Sequence, residues 1–261
     1  MSKTITSTQN PEIKSLLKLQ DKARERKKMG LLVVEGVREI QIALQSGYEI
    51  EKLYIQPEIF NSKLIDISTH QTINLSSEVY DKVAYRGSTE GIIAVLKSKV
   101  HDLKDLKLKK NPLILVAEAP EKPGNIGALL RTADAAGINA VIIANPKTDL
   151  YNPNIIRSSI GCVFGLQIAT GSSTEIINYL KKNNIQIITA ALKDNAQNYL
   201  TQDYTKPTAI VVGTESTGLS EEWLESSDRS IIIPMRGKID SMNVSVASAI
   251  LIFEAVRQRS L

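Results

Sequence analysis

The 261-residue chain predicts an α/β protein: a mainly parallel sheet in its C-terminal part, preceded by a smaller α/β unit. Three observations carry that expectation. Short, continuously apolar runs rich in Ile and Val recur after residue 112, as in strands buried on both faces. Helical patterns separate those runs, and strand–helix alternation builds parallel sheets. Between the two parts the texture changes over Lys97 to Asn111, which carries six lysines and ends at Asn111-Pro112, a pair that discourages a continuing helix. The expected organisation is residues 1–97, a basic linker at 98–111, and 112–261.

Element by element, the first part opens with an amphipathic basic helix from about Pro11 to Lys28. LLVVEG (Leu31 to Gly36) reads as a strand, and REIQIALQSG as a helix closed by Gly47. KLYIQ (Lys52 to Gln56), QTINL (Gln71 to Leu75) and GIIAVLK (Gly91 to Lys97) are further strands, with short helices expected at Asn61 to Ser68 and Ser77 to Ala84. In the second part the strands are LILVAEA (from Leu113), AVIIA (from Ala140), LQIA (from Leu166), IQIITAA (from Ile185), TAIVVG (from Thr208) and SIIIP (from Ser230). Helices are expected at Asn125 to Ala136, Ser173 to Asn183 and Asn243 to Arg259.

Composition narrows the classes of function. With 43% hydrophobic and 23% charged residues the chain reads as an ordinary globular protein. The single cysteine, Cys162, excludes an internal disulfide and a cysteine-rich metal cluster, and is expected as a small core residue. His70 and His101 are too far apart to suggest a metal pair, so no metal is expected. No apolar run approaches the ~18 residues of a membrane span, and the start MSKTITSTQN does not read as a secretory signal. A cytoplasmic location is the resulting expectation. Charge is uneven: up to Lys110 there are 19 Lys+Arg against 14 Asp+Glu, and from Asn111 onward 13 against 14. The excess includes KARERKK, so Arg24, Arg26, Lys27 and Lys28 are candidate contacts to a polyanion; solvated surface charge is the competing explanation.

Ligands of open α/β sheets collect at the carboxyl ends of strands, and three such ends here are polar and glycine-rich. The first, APEKPGNIGALLRTADAAG, places Asn125 and Arg131 near a helix start. VVGTESTGLS brackets Glu215 between Gly213 and Gly218, and IPMRGKIDSMNVSVASAI carries Ser241 and Asn243 before an apolar helix. Any one of these also fits a tight connection. The first has GxxG rather than GxGxxG, and the second lacks the GK[ST] of a phosphate-binding loop. Trp223, after LSEE, is expected to pack locally rather than stack on a base.

Together, NIGALLRTADAAG, GTESTGLS and IPMRGKIDSMNVSVASAI resemble, in order and spacing, the three motifs of the SpoU (TrmH) family of S-adenosylmethionine-dependent RNA ribose 2′-O-methyltransferases. The likeness spans about Leu113 to Arg257; less specifically, the first part is similar to the ribosomal-protein-like substrate-binding domain of many members. The resemblance implies a deep trefoil knot, an exception to the unknotted rule. It also implies an obligate homodimer whose sites are completed by the partner's first-motif region. By position it implies donor contacts at Gly213, Gly218, Ile233, Met235 and Met242. Arg131 matches the family's essential arginine, with Asn125, Glu215, Ser241 and Asn243 positioning it, the ribose and the loop. A guanidinium has a pKa above ~12, so Arg131 is expected to hold a phosphate and stabilise an emerging alkoxide rather than to act as a base. Thr214 and Ser216 depart from the Asn and Gly usual around the second-motif Glu. The implied substrate is structured RNA, rRNA before tRNA, with guanosine as a candidate target. A non-catalytic RNA-binding assembly factor and an unrelated nucleotide-binding enzyme are the alternatives.

Overall fold

A computed structural model describes residues 3–85, 90–193 and 195–260. Along the chain run β1 (Lys3–Ile5), α1 (Pro11–Asp21), α2 (Ala23–Met29), β2 (Leu31–Glu35), α3 (Val37–Gln45), β3 (Ile50–Ile55), β4 (Thr72–Leu75), α4 (Ser77–Val83) and β5 (Ile92–Lys97). There follow β6 (Leu113–Glu118), α5 (Pro123–Ala135), β7 (Ala140–Ala144), the short α6 (Pro153–Ser158) and α7 (Cys162–Gly165), β8 (Ile168–Gly171) and α8 (Ser173–Lys182). The last are β9 (Gln186–Ala190), β10 (Gln197–Asn198), β11 (Thr208–Val212), α9 (Glu221–Ser226), β12 (Arg229–Ile232) and α10 (Val244–Arg259). No helix among the described residues is long and apolar enough to cross a membrane.

Two local expectations are corrected. The single basic helix is two helices, broken where Lys22 is extended (φ −116°, ψ 109°). The break has a cause: the Arg26 guanidinium turns back and donates to the carbonyls of Leu19 and Gln20 at 2.6 and 2.8 Å, satisfying acceptors that the end of α1 leaves open. Asn61 to Ser68 forms turns rather than a helix. There the Asn61 and Asp66 side chains accept from the backbone N–H groups of Lys63 and Ser68, the local bonding that competes with helix formation.

The described residues divide into two compact units. The first, Met1–Val100 with Asp149–Gly165, holds a five-stranded sheet in the order β1-β4-β3-β5-β2. β1, β4 and β3 are parallel, while β5 runs antiparallel to both β3 and β2. Inclusion of Asp149–Gly165 was not foreseen in boundaries at 1–97, 98–111 and 112–261. It is firmly seated: Tyr151, Ile155, Ile156, Val163 and Phe164 are buried, and the Tyr151 and Tyr48 hydroxyls lie 2.9 Å apart. Cys162 is buried in the same stretch, as expected of a small core residue.

The second unit, His101–Thr148 with Leu166–Leu261, holds a seven-stranded sheet ordered β10-β12-β9-β11-β6-β7-β8, with every pairing parallel. β6, β7 and β11 are buried along their whole length, which explains their unbroken apolar sequences. Trp223 is fully buried and donates Nε1–H to the Ser173 hydroxyl at 2.8 Å, the local packing anticipated for it. The lysine-rich stretch alternates usefully: Leu103, Leu106 and Leu108 pack on this core while Lys104, Lys107, Lys109 and Lys110 face out.

Candidate active site

β7 flanks β6 on one side and β11 on the other, so the chain order reverses at β6 and leaves a crevice outside the carboxyl ends of β6 and β11. The loops leaving β6, β11 and β12 carry the three motifs, and three of the five residues assigned to catalysis meet. Glu215 is the hub. Its Oε1 accepts from Asn125 Nδ2 and Asn243 Nδ2, both at 2.9 Å, and its Oε2 accepts from Lys122 Nζ at 2.6 Å. Asn243 Nδ2 also donates to Asn125 Oδ1 at 3.2 Å.

Each partner is placed by ordinary local rules. Pro123 opens α5, as its fixed φ favours, putting Lys122 at the N-cap and Asn125 in the first turn. Asn243 is the N-cap of α10: its Oδ1 accepts from Ser245 N–H at 2.9 Å, which leaves the amide Nδ2 to face Glu215. The second loop doubles back on itself, with Thr214 and Gly218 exchanging backbone hydrogen bonds at 3.1 Å. A Cβ on Gly213 would lie 2.2 Å from the Gly218 carbonyl, so the loop's own return already requires that glycine. Gly218 is needed for its left-handed φ of +69°. Thr214, which replaces the usual Asn, accepts from Thr217 N–H at 3.1 Å and so holds the turn.

The hydrogen bond from Lys122, then that from Asn125, holds the Glu215 carboxyl below the usual carboxylate range, against a desolvation that acts the other way. Lys122 is raised in return, chiefly by its hydrogen bond to Glu215. Glu215 is thus a charged acceptor already filled by three side-chain donors, suited to organising the loops and not to taking a proton. Beside it lies a cleft of about 100 Å³ lined by Lys122, Asn125, Gly213, Thr214, Glu215 and Val244 among others. That is smaller than the ~300–1,000 Å³ usual for a ligand pocket.

The remaining assigned residues do not join the cluster. Arg131 is exposed, its side chain bonds to no described residue, and it does not line the cleft. Ser241 is exposed, and among the described residues its side chain bonds only Asp240, at 3.1 Å. Gly218, Ile233, Met235 and Met242 lie outside the cleft lining, where Gly213 is found. Arg26 is a correction: only 4% exposed, it spends its guanidinium on Leu19, Gln20 and an ion pair with Asp149, so it has nothing to offer a polyanion. Arg24, Lys27 and Lys28 are exposed. Two residues escaped the sequence reading. Lys122 sits just before the helix-opening proline, and Glu118 is a lone charge ending the otherwise apolar run LILVAE. That break in pattern was the available signal.

The residues present fit the donor that the family uses. Among the described residues, Pro234 to Met242 form no backbone–backbone hydrogen bond, so this loop keeps free peptide donors and acceptors of the kind that read an adenine edge. No group of described residues could hold a metal ion.

The chain is similar to known families and proteins along its length. Residues 112–253 match the model of the SpoU rRNA Methylase family, and residues 10–94 that of the MRM3-like substrate binding domain. The chain is 28% identical to the 23S rRNA (guanosine(2553)-2′-O)-methyltransferase RlmP of Bacillus subtilis, over 96% of this chain and 98% of that one. It is 37% identical to the tRNA (guanosine(18)-2′-O)-methyltransferase of Escherichia coli, over 59% of this chain and 67% of that one. The crystal structure of the SpoU methyltransferase AviRb from Streptomyces viridochromogenes in complex with AdoMet superposes with a TM-score of 0.88 at 27% identity, covering 96% and 99% of the two chains.

Proposed function

The chain belongs to the SpoU rRNA methylase family, and from that premise we propose that it methylates a ribose 2′-hydroxyl of structured RNA with S-adenosylmethionine as donor. The observation that carries the reading is the cluster of Lys122, Asn125, Glu215 and Asn243, which joins all three motif loops at the switch point of the sheet. When bound, the donor supplies a methyl group already activated on a sulfonium. Gly213 and the Pro234–Met242 peptide groups would hold it, with Ile233, Met235, Gly218 and Met242 as the contacts that the motifs assign. The protein's remaining task is alignment and charge. Glu215 fixes Asn125 and Asn243; Arg131, with its donors uncommitted, holds an RNA phosphate and stabilises the developing alkoxide as the proton leaves to phosphate or water. Ser241 positions the ribose.

Arg131 reaches a site by acting across a homodimer. α10 supports this: ten of its first thirteen residues are apolar, yet only Ser248, Leu251, Ile252, Glu254 and Ala255 are buried, leaving Val246 and Phe253 about half exposed two turns apart. A trefoil knot is part of the same reading; insertion of β11 between β6 and β9, both formed earlier in the chain, supports it. Mixing Arg131→Ala with Glu215→Ala protomers tests the dimer, because each is inactive alone and exchange restores one intact site only if Arg131 acts in trans.

Ribosomal RNA is favoured over tRNA. The first unit matches a substrate-binding model, whereas the tRNA enzyme's similarity covers only 59% of this chain. Arg24, Lys27 and Lys28 give that unit an exposed basic edge, and a cytoplasmic location follows from such a substrate. The intact cluster argues against a retired, non-catalytic fold. Mapping ribose methylation across total RNA from cells with and without the gene tests the whole reading: loss at one rRNA ribose is expected, loss only in tRNA shifts the substrate, and no loss ends it.

A further inference from the structure

Glu118 is the last residue of β6 and is 6% exposed, an expensive place for a charge-bearing side chain. It is fully engaged. Oε2 accepts from the backbone N–H of Ser220 at 2.8 Å, while Oε1 accepts from the Ser220 hydroxyl at 2.7 Å and the Ser173 hydroxyl at 3.2 Å. Ser173 is itself pinned, its Oγ accepting from Trp223 Nε1 at 2.8 Å and Asn145 Nδ2 at 2.9 Å.

Two features show that this bonding serves the loops. Ser220 stands at the N-cap of α9, where a serine normally accepts from the first turn, yet it makes no capping bond and turns to Glu118 instead. Ala119, directly after Glu118, has a φ of +45°, a left-handed conformation that an alanine holds only when its surroundings impose it. One carboxyl group thus grips the end of the Gly213–Ser220 loop while standing at the root of the loop that delivers Lys122 and Asn125.

We propose that Glu118 is a positioning residue for methyl transfer: from beneath the site it sets the second-motif loop against the first, and through them the seat of the donor. This rests on the methyltransferase reading above. Its weight falls on donor binding, since the loop it grips carries Gly213 and Gly218, both assigned to the donor.

The test compares wild type, Glu118→Gln and Ser220→Ala in the full chain, measuring the thermal midpoint, KM for S-adenosylmethionine, kcat and RNA affinity. Gln keeps the size but puts an NH2 where one acceptor stood. Loss of one buried hydrogen bond then predicts a rise of about tenfold in KM for the donor, with kcat and RNA affinity nearly unchanged. A folding defect alone moves the other way, lowering kcat through the active fraction and leaving both affinities alone; that result, or wild-type values throughout, overturns the proposal. Should Glu118→Gln fail to fold, Ser220→Ala decides, because it removes one of the three bonds and keeps the buried carboxyl partnered by Ser173: a smaller rise in donor KM supports the idea, and an unchanged KM sinks it. Wild type that neither binds the donor nor methylates RNA fails the functional reading instead, before any variant is judged.

Discussion

Arg26 and Arg131 carry the same guanidinium on helices of the two units, and the protein uses them in opposite ways. Arg26 lies in the densest basic run of the sequence, yet it is buried and spends its donors on two carbonyls and Asp149. Arg131 is the lone cation of α5, within the first motif, and its guanidinium bonds to no described residue. Clustering of like charge in a sequence therefore says little about which member meets the ligand. What decides is whether the fold supplies acceptors that satisfy the charge internally, and only the folded chain shows that.

The largest effect expected from breaking this contrast is on turnover. Arg131→Ala should lower kcat by about 10²–10³-fold, the loss typical of removing one donor to a developing oxyanion, with the donor's affinity and the melting temperature unchanged. A weakened donor affinity with normal kcat at saturation would show that Arg131 binds rather than activates. Arg26→Ala should do the reverse. Stranding Asp149 and the two α1 carbonyls predicts a loss of about 2–3 kcal/mol of stability, seen as a lower thermal midpoint. The salt dependence of RNA binding by the folded fraction should be unaltered; a reduced salt slope in Arg26→Ala would reinstate it as a phosphate contact.

Much of the fold was legible because apolar runs mark strands: the six from Leu113 onward all became strands of one parallel sheet, three of them buried along their whole length. Asn125, Glu215 and Asn243 were legible as a set because the motifs that bear them leave strand ends. What stayed hidden depends on side-chain bonding over distance. The break at Lys22 depends on Arg26 reaching back to α1, the turns at 61–68 on Asx bonds, and the excursion of Asp149–Gly165 on a tyrosine pair 103 residues apart. Glu118 was visible as an anomaly, but its partners Ser173 and Ser220 lie 55 and 102 residues away.

A smaller effect separates the free basic residues from the committed ones. Arg24, Lys27 and Lys28 are exposed, and neutralising all three by Ala should weaken RNA binding and cut the salt slope by about 2–3, close to one per lost phosphate contact. The substitution is preferable to deleting the first 110 residues, because truncation would expose Tyr151, Ile155, Ile156, Val163 and Phe164, which are buried in the first unit. An unchanged slope in the triple variant would remove α2 from the RNA-binding surface altogether.

The smallest effect concerns a lysine pair that, like Arg26, has been drawn into structure. Glu12 accepts from Lys3 at 2.5 Å, Lys52 at 2.9 Å and Tyr54 at 3.0 Å, tying β1 to α1 and β3. Burial alone would raise its carboxyl, but the hydrogen bonds from Lys3, Lys52 and Tyr54 outweigh that and bring it down to about 2. Because the folded value lies below the ~4.3 of an unfolded glutamate, this group stabilises the protein above that pH. Its contribution fades as acid titrates it between the two values. The thermal midpoint of wild type should therefore fall more steeply from pH 5 to about pH 2 than that of Glu12→Gln, while the two curves run parallel from pH 6 to 8. Equal acid slopes would mean that Lys3 and Lys52 are not held by Glu12 in solution, returning two more cations to the surface available for RNA and weakening the distinction drawn from Arg26.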